Sequence, residues 1–151
     1  MPQTLCSESW DVLVVGAGAS GIGAAIAAAR GGARVLLVDA GPMIGGELVS
    51  GIPVDGCLSS RGEWVVGGVC RDIFAECERL GGYIGPINDY RSLHVVAVDP
   101  EIMKVAVVNL VHKAGVVLRL YTYADDIVMD GNRVEGVVLV NRGRRTLVHA
   151  K

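Results

Sequence analysis

Between Val12 and Asp39 the chain reads VLVVGAGASGIGAAIAAARGGARVLLVD, an order of residue types that few folds accommodate. Val12 to Val15 is an apolar, β-branched run too short for a helix, so it reads as a strand. Gly16, Gly18 and Gly21 follow in G-x-G-x-x-G spacing. An alanine-rich helix then runs to a Gly31-Gly32 stop, a second apolar strand covers Val35 to Val38, and a carboxylate, Asp39, follows it. Three glycines in this spacing would arise by chance about 0.4 times in so glycine-rich a chain, so the spacing alone decides little. The strand before it, the helix after it, the glycine stop and the acid are separate requirements, and all are met. Together they spell a βαβ unit that holds a dinucleotide.

Each position has a physical reason. Gly16 lets the chain turn sharply from strand to helix, because without a Cβ it adopts backbone angles closed to other residues. Gly18 leaves room for a pyrophosphate to approach the main chain. Gly21 lets the helix lie close on the sheet, and Ala25 and Ala28 continue that small-residue face. The first-turn N–H groups, around Ala19 to Gly21, have no partner within the helix and point at the phosphates, where the helix dipole adds a favourable field. Asp39, at the end of the second strand, is placed to accept hydrogen bonds from both ribose hydroxyls.

Composition narrows the rest. A chain of 151 residues suits one domain with a sizeable core. With 51% hydrophobic and 20% charged residues it is not a disordered chain. A formal charge of −2 gives no electrostatic reason to expect nucleic acid, and the Arg142, Arg144, Arg145 cluster reads as a solvated turn. No membrane segment is expected: the apolar window Val12 to Val38 is broken by glycines, Arg30 and Arg34. The N-terminus lacks a basic n-region and carries Glu8 and Asp11, so no signal peptide is expected and the chain is expected in the cytoplasm. Cys6, Cys57, Cys70 and Cys77 form no C-x-x-C pair. Cys70 and Cys77, seven apart on one helix face, read as core thiols, and no metal site is expected.

Past Asp39 the sequence separates flavin from nicotinamide. A second glycine pair, Gly45-Gly46, lets the backbone come close to a cofactor already lying along the first motif. Residues 40–66 then hold no period of 2 or 3.6, and a loop that long inside one domain is usually functional; it is expected beside the flavin ring or its ribityl chain. A helix follows over about Gly67 to Leu80, with Val69, Cys70, Ile73, Phe74, Cys77 and Leu80 on one face. Tyr83 to Asp99 alternates loosely, with a strand at 94–98. Asp99-Pro100-Glu101 opens another helix, Asp as N-cap and Pro at the first helical position, closing at Gly115. VVLRL at 116–120 is a third parallel strand. Asp125 to Ala150 reads as a three-stranded antiparallel meander with turns at Asp130-Gly131-Asn132 and Asn141 to Gly143. The fold class expected is α/β, a Rossmann-like parallel sheet of the FAD/NAD(P)-binding type with an inserted three-stranded meander, incomplete at the C-terminus. Residues 1–151 then form the N-terminal part of one FAD-binding domain.

With those residues in view the chain resembles the FAD-dependent oxidoreductases with a glutathione-reductase-type Rossmann domain. The matching features are Gly16, Gly18, Gly21, Asp39, Gly45, Gly46, the VVGGVCRDIFAECERLGG helix and VDPEIMKVAVVNLVHKAGVVLRLYT. The resemblance implies FAD bound in an extended form. Gly16, Gly18, Ala19, Ser20 and Gly21 would hold the pyrophosphate and Asp39 the adenosine ribose, with Ala17 and Ala40 also among the cofactor-binding positions. Gly45, Gly46 and Glu47 would sit by the phosphate and ribityl segment, and Tyr123 or Ala124 would meet adenine through the backbone. Two positions depart from the family pattern: the ribose acid is usually Glu, one methylene longer, and an Arg or Lys often follows it where Ala40 and Gly41 stand here. In the relatives a further parallel strand follows the meander, then a substrate-binding cap. The chain stops at Lys151, before either, and one edge of the Val12–Val15 strand, apolar like a central strand, is left without its expected neighbour.

In flavoenzymes the isoalloxazine does the redox chemistry while the protein orients substrate, so no catalytic residue is assigned. His94, His112 and His149 are candidates by residue type only. Cys57 lies in the long loop with no partner Cys or His nearby in sequence, and Glu63 and Trp64 are candidates by position. The expected function is the FAD-binding portion of an oxidoreductase that moves a hydride at a small organic substrate, a missing C-terminal segment or partner polypeptide being needed for activity. The alternatives are an NAD-binding domain of a dehydrogenase, or a non-catalytic dinucleotide-binding subunit or remnant.

Overall fold

The computed structural model describes residues 6–89 and 93–151. Residues 1–5, within the expected domain, and 90–92, within the loosely alternating Tyr83–Asp99 stretch, lie outside the described residues. In chain order the elements are β1 (Cys6–Trp10), β2 (Val12–Val15), α1 (Ala19–Arg30), β3 (Val35–Val38), a 3-10 turn (Gly46–Val49), α2 (Gly68–Arg79), β4 (Tyr83–Asp89), β5 (Leu93–Val98), α3 (Pro100–Lys113), β6 (Val117–Arg119), β7 (Thr122–Asp130), β8 (Arg133–Asn141) and β9 (Arg144–Ala150).

Strand β3 explains how these pack. It is the middle strand of a parallel sheet ordered β2-β3-β6, and all four of its side chains are buried. Val35 and Leu37 face a core built with Ile22, Ile26, Phe74, Met103 and Val107 from the three helices. Leu36 and Val38 face a second, smaller core with Leu139 and Val148 of the meander. The alternation of side chains along a strand therefore sends an unbroken apolar run to two different layers, helices on one side and an antiparallel sheet on the other. In β2, Val12 and Val14 pack on the helical core and Leu13 on the meander core.

The ends of the long helices follow local chemistry. Asp99 caps α3, its Oδ1 accepting the N–H groups of Glu101 at 2.8 Å and Ile102 at 3.2 Å. Helix α2 is bound to α3 by Glu76, a buried carboxylate that accepts from Arg79, Asn109 and Lys113 at 2.7 to 3.1 Å. These partners, Arg79 first, hold its pKa down at about 2 against an ordinary 4.5. The folded value lies below the unfolded one, so the stabilisation is complete above pH 4.5 and fades as pH falls toward 2. Because the Arg79 and Lys113 heads are more than half exposed, solvent screening limits it to on the order of 1–2 kcal/mol. Glu76→Gln is expected to lower the urea midpoint at pH 7 and to leave a smaller difference from the native chain at pH 3. An equal loss at both pH values would mean that packing, not charge, carries the effect.

The structure differs from the sequence reading in several places. The meander starts at Thr122 rather than Asp125, and it becomes a four-stranded sheet ordered β1-β9-β8-β7 because Cys6–Trp10 adds in parallel to β9. The sequence CSESW has no apolar alternation to announce this; a bidentate ion pair from Arg119 to Glu8, at 2.9 and 2.6 Å, helps hold the strand. The third parallel strand is trimmed to Val117–Arg119. The alternation of 83–99 resolves into both arms of a hairpin, and the aperiodic 40–66 stretch contains the 3-10 turn and a bridge from Val54 to Val96. Strand β2 stands at an edge of its sheet with Val15 half exposed, although its composition is that of a central strand.

Candidate functional site

The carboxyl ends of β2, β3 and β6 meet the start of α1, and the glycine motif lies at that junction. Gly16 has φ of +95°, a left-handed angle that a side chain disfavours, and its N–H donates to the Val38 carbonyl at 2.8 Å. A Cβ built on Gly21 would stand 1.8 Å from the Gly16 carbonyl oxygen, so helix and turn are in direct backbone contact. A Cβ built on Gly18 would meet nothing within 4 Å. Gly18 is also the N-cap of α1, which has no side-chain cap and no acidic residue in its first turn. The first-turn amides of Ala19, Ser20 and Gly21 therefore have no side-chain cap, and the positive end of the helix dipole lies beside the open space at Gly18.

The second glycine pair closes on the first. The Gly45 N–H donates to the Ala17 carbonyl at 2.8 Å, and a Cβ on Gly46 would lie 3.1 Å from the Gly18 Cα. Glu47 follows on the exposed face of the 3-10 turn, its carbonyl accepting from Ser50. Two glycine turns some thirty residues apart in sequence thus form one backbone-walled trough.

On the other side of Gly16 a cleft of about 320 Å³ runs along Val15, Gly16, Val38, Asp39, Ala40, Thr122, Tyr123 and Ala124. Asp39, Ala40, Tyr123 and Ala124 were named from sequence, and the structure brings them together there. Asp39 itself is tied to the protein's own backbone: Oδ2 accepts the Ala17 N–H and Oδ1 the Gly41 N–H, each at 2.7 Å. The sequence reading did not foresee these two backbone donors. The short side chain folds back onto the turn, and each oxygen keeps a lone pair for an outside donor. Thr122, missed in the sequence, is buried and anchors the start of β7: its N–H donates to the Asp39 carbonyl at 2.8 Å and its hydroxyl to the Leu120 carbonyl at 2.9 Å. A polar β-branched residue between two tyrosines was the only available signal.

The remaining candidates are scattered. His112 is exposed near the end of α3. His149 lies in β9 with Nδ1 against the Glu135 carbonyl at 2.9 Å. His94 pairs through Nε2 with Asn88 at 3.1 Å, its Nδ1 buried without a partner among the described residues. Glu63 pairs with Arg61. Trp64 packs on Phe74 with ring centroids 5.3 Å apart, and the Arg71 guanidinium lies 4.0 Å from its ring centre. Cys57 is buried and does have a partner, Cys70, with sulfurs 3.9 Å apart. Among the described residues no group of three or more His, Cys, Asp and Glu is arranged to hold a metal ion. Among those residues, too, no helix is long and apolar enough to cross a membrane.

This geometry fits a dinucleotide: open space at Gly18, uncapped amides, and a cleft beside Asp39. Comparison with known proteins agrees. Sarcosine oxidase subunit alpha of Rhizobium meliloti (strain 1021) is 54% identical over 46 residues, 28% of this chain and 5% of the relative. The probable fumarate reductase Ifc3 of Shewanella frigidimarina (strain NCIMB 400) is 55% identical over 41 residues, 27% of this chain and 7% of the relative. Among solved structures, the open conformation of a flavocytochrome c3 fumarate reductase superposes with a TM-score of 0.69 at 22% identity, covering 97% of this chain and 33% of that one. Thermovibrio ammonificans THI4 gives 0.65 at 22% identity, covering 95% of this chain and 55% of that one. The chain thus spans a small part of the curated relatives and a third to about half of these structures. The match to the family described as FAD dependent oxidoreductase runs over residues 11–151, and it decides the cofactor as FAD rather than NAD. On that match, nearly end to end, the chain belongs to the FAD dependent oxidoreductase family.

Proposed function

We propose that this chain is the FAD-binding part of an oxidoreductase of the glutathione-reductase-type branch, acting by hydride transfer on a small organic substrate. The observation that carries the reading is the open space at Gly18, beside the uncapped start of α1 and Gly46, with the Asp39 cleft reaching Gly16 two residues before it. In it Gly18, Ala19, Ser20 and Gly21 bind the diphosphate through main-chain amides and the dipole of α1, while Gly16 and Ala17, whose N–H groups go to the Val38 carbonyl and to Asp39, shape the turn beside it. Asp39 and Ala40 line the ribose position, and Tyr123 and Ala124 the adenine position. Gly45, Gly46 and Glu47 flank the phosphate and ribityl segment. When bound, FAD supplies the two-electron chemistry; these residues hold and orient it.

The reading includes a cytoplasmic setting and a further segment or partner polypeptide that supplies the substrate cap and covers β2. Two features support the partner: the open edge of β2, and the names of the sarcosine oxidase and opine oxidase relatives, which are themselves subunits. Visible flavin absorbance of the purified, desalted chain tests the cofactor assignment. Turnover by the chain alone and with a candidate partner distinguishes a catalytic part from a module that only binds.

Asp39→Ala is expected to weaken FAD by on the order of 1.5–3 kcal/mol through lost charge-assisted hydrogen bonds, about a tenfold or larger rise in Kd. Fluorescence titration reads the Kd. A melting curve of the apo variant reads separately the cost of freeing the Ala17 and Gly41 amides. An unchanged Kd removes Asp39 from the site.

A further inference from the structure

The four cysteines are not equivalent. Cys6 is exposed on β1, and Cys77 is buried in the helical core with its sulfur 3.7 Å from the Met103 sulfur. Cys57 and Cys70, thirteen residues apart, have their sulfurs at 3.9 Å, in van der Waals contact. Cys57 sits in the irregular segment after the 3-10 turn, directly behind Gly56 with its φ of +77°. Cys70 lies in the first turn of α2 and lines a small apolar crevice with Ala19, Gly23, Leu48 and Val69, next to the start of α1. Both sulfurs pack with the helical core, and the mechanism proposed above uses neither.

We infer that Cys57 and Cys70 form a dithiol–disulfide site that small-molecule disulfides oxidise. The two partners differ in a way that orders the steps. Cys57 is buried, and burial, followed by the Cys70 sulfur beside it, pushes its thiol up to about 11, which makes it a poor first nucleophile. Cys70 is only half buried, in the first turn of α2, so its sulfur is the one an incoming disulfide reaches first. The Cys70 thiolate attacks one sulfur of a small disulfide, whose S–S bond breaks and releases one thiol. The Cys57 thiolate, already in contact, attacks the Cys70 sulfur of that mixed disulfide and releases the second thiol. The net change is loss of two hydrogens from the protein and reduction of one disulfide to two thiols. Contact between the sulfurs raises the effective concentration of Cys57, which compensates for its small thiolate fraction. The sulfurs must approach from 3.9 Å to a bond length of about 2.05 Å, and the glycine-jointed segment carrying Cys57 can absorb that movement. The bridge ties the cofactor-side loop to α2.

Trypsin cleavage after Arg61 falls between the two cysteines, leaving peptides 35–61 and 62–71 with one cysteine each. The full chain is incubated with glutathione disulfide, its free thiols are alkylated, and the digest is weighed without reduction. The expected product is the two peptides joined, two hydrogens lighter than their sum, with Cys6 and Cys77 outside the bridge. Peptides recovered separately, alkylated or carrying a stable glutathione adduct, overturn the inference. In Cys57→Ser the adduct is expected to accumulate on peptide 62–71 at least ~10-fold faster than on peptide 35–61 of Cys70→Ser; the reverse order overturns the assignment of Cys70 as the attacking thiol. The native-chain measurement needs neither variant to fold and is read by mass whether or not FAD is bound, so its failure is distinct from failure of the flavin reading.

Discussion

Gly18→Val is expected to fold and to lose FAD. Nothing lies within 4 Å of a Cβ at this position, and the backbone there, φ −75° and ψ −173°, is extended and open to any residue. The folding cost is confined to a poorer N-cap, on the order of 1 kcal/mol or less. The branched side chain instead fills the space in front of the Ala19 to Gly21 amides, so a diphosphate can no longer reach them. Losing those contacts should raise the FAD Kd by at least ~100-fold, close to 3 kcal/mol. Equilibrium dialysis beside a melting curve separates the two effects: near-normal melting with no retained flavin supports the phosphate trough. Normal flavin occupancy in the folded variant would remove Gly18 from it. Gly18→Ala, with one methyl in the same space, should fall between.

Gly21→Ala, the smallest possible change three residues on, is expected to do the opposite and damage the fold itself. Its Cβ would lie 1.8 Å from the Gly16 carbonyl oxygen and 3.0 Å from the Gly16 carbonyl carbon. Both are backbone atoms that no rotamer change can move, so α1 must lift from the turn by an ångström or more. That displaces Ile22, Ala25 and Ile26, which are fully buried under the sheet. Overpacking against yielding side chains costs about 1–3 kcal/mol, and a rigid backbone contact should cost at least the upper end. With whole-domain stabilities of about 5–15 kcal/mol, the variant should melt much earlier or accumulate as insoluble protein. Wild-type melting of Gly21→Ala would contradict the helix–turn contact. The two variants separate a glycine kept for a ligand from a glycine kept for packing, although both belong to one motif.

That distinction was already drawn from spacing alone, because the chemistry of the βαβ unit is local. A strand, a glycine turn, a helix start and a terminal acid follow one another within twenty-eight residues, and each has its own propensity. The Asp99 cap and the α2 face were legible for the same reason. Pairings between distant segments were not. The polar strand Cys6–Trp10 pairs in register with β9 and is tied to β6 by the Arg119–Glu8 ion pair, both more than a hundred residues away in sequence. Thr122 matters because it hydrogen-bonds to the Asp39 backbone. Cys57 had no partner nearby in sequence, and it acquired one only when the loop folded over α2.

The order of residue types in this chain was enough to specify the glycine turn that walls the trough, since backbone freedom and helix capping act over a few neighbours at a time. Folding in three dimensions settled which side chains share that trough, how Asp39 is held by the amides around it, and which two sulfurs touch. These depend on contacts across long stretches of chain, where periodicity and propensity carry no information and only the packed layers bring the groups together.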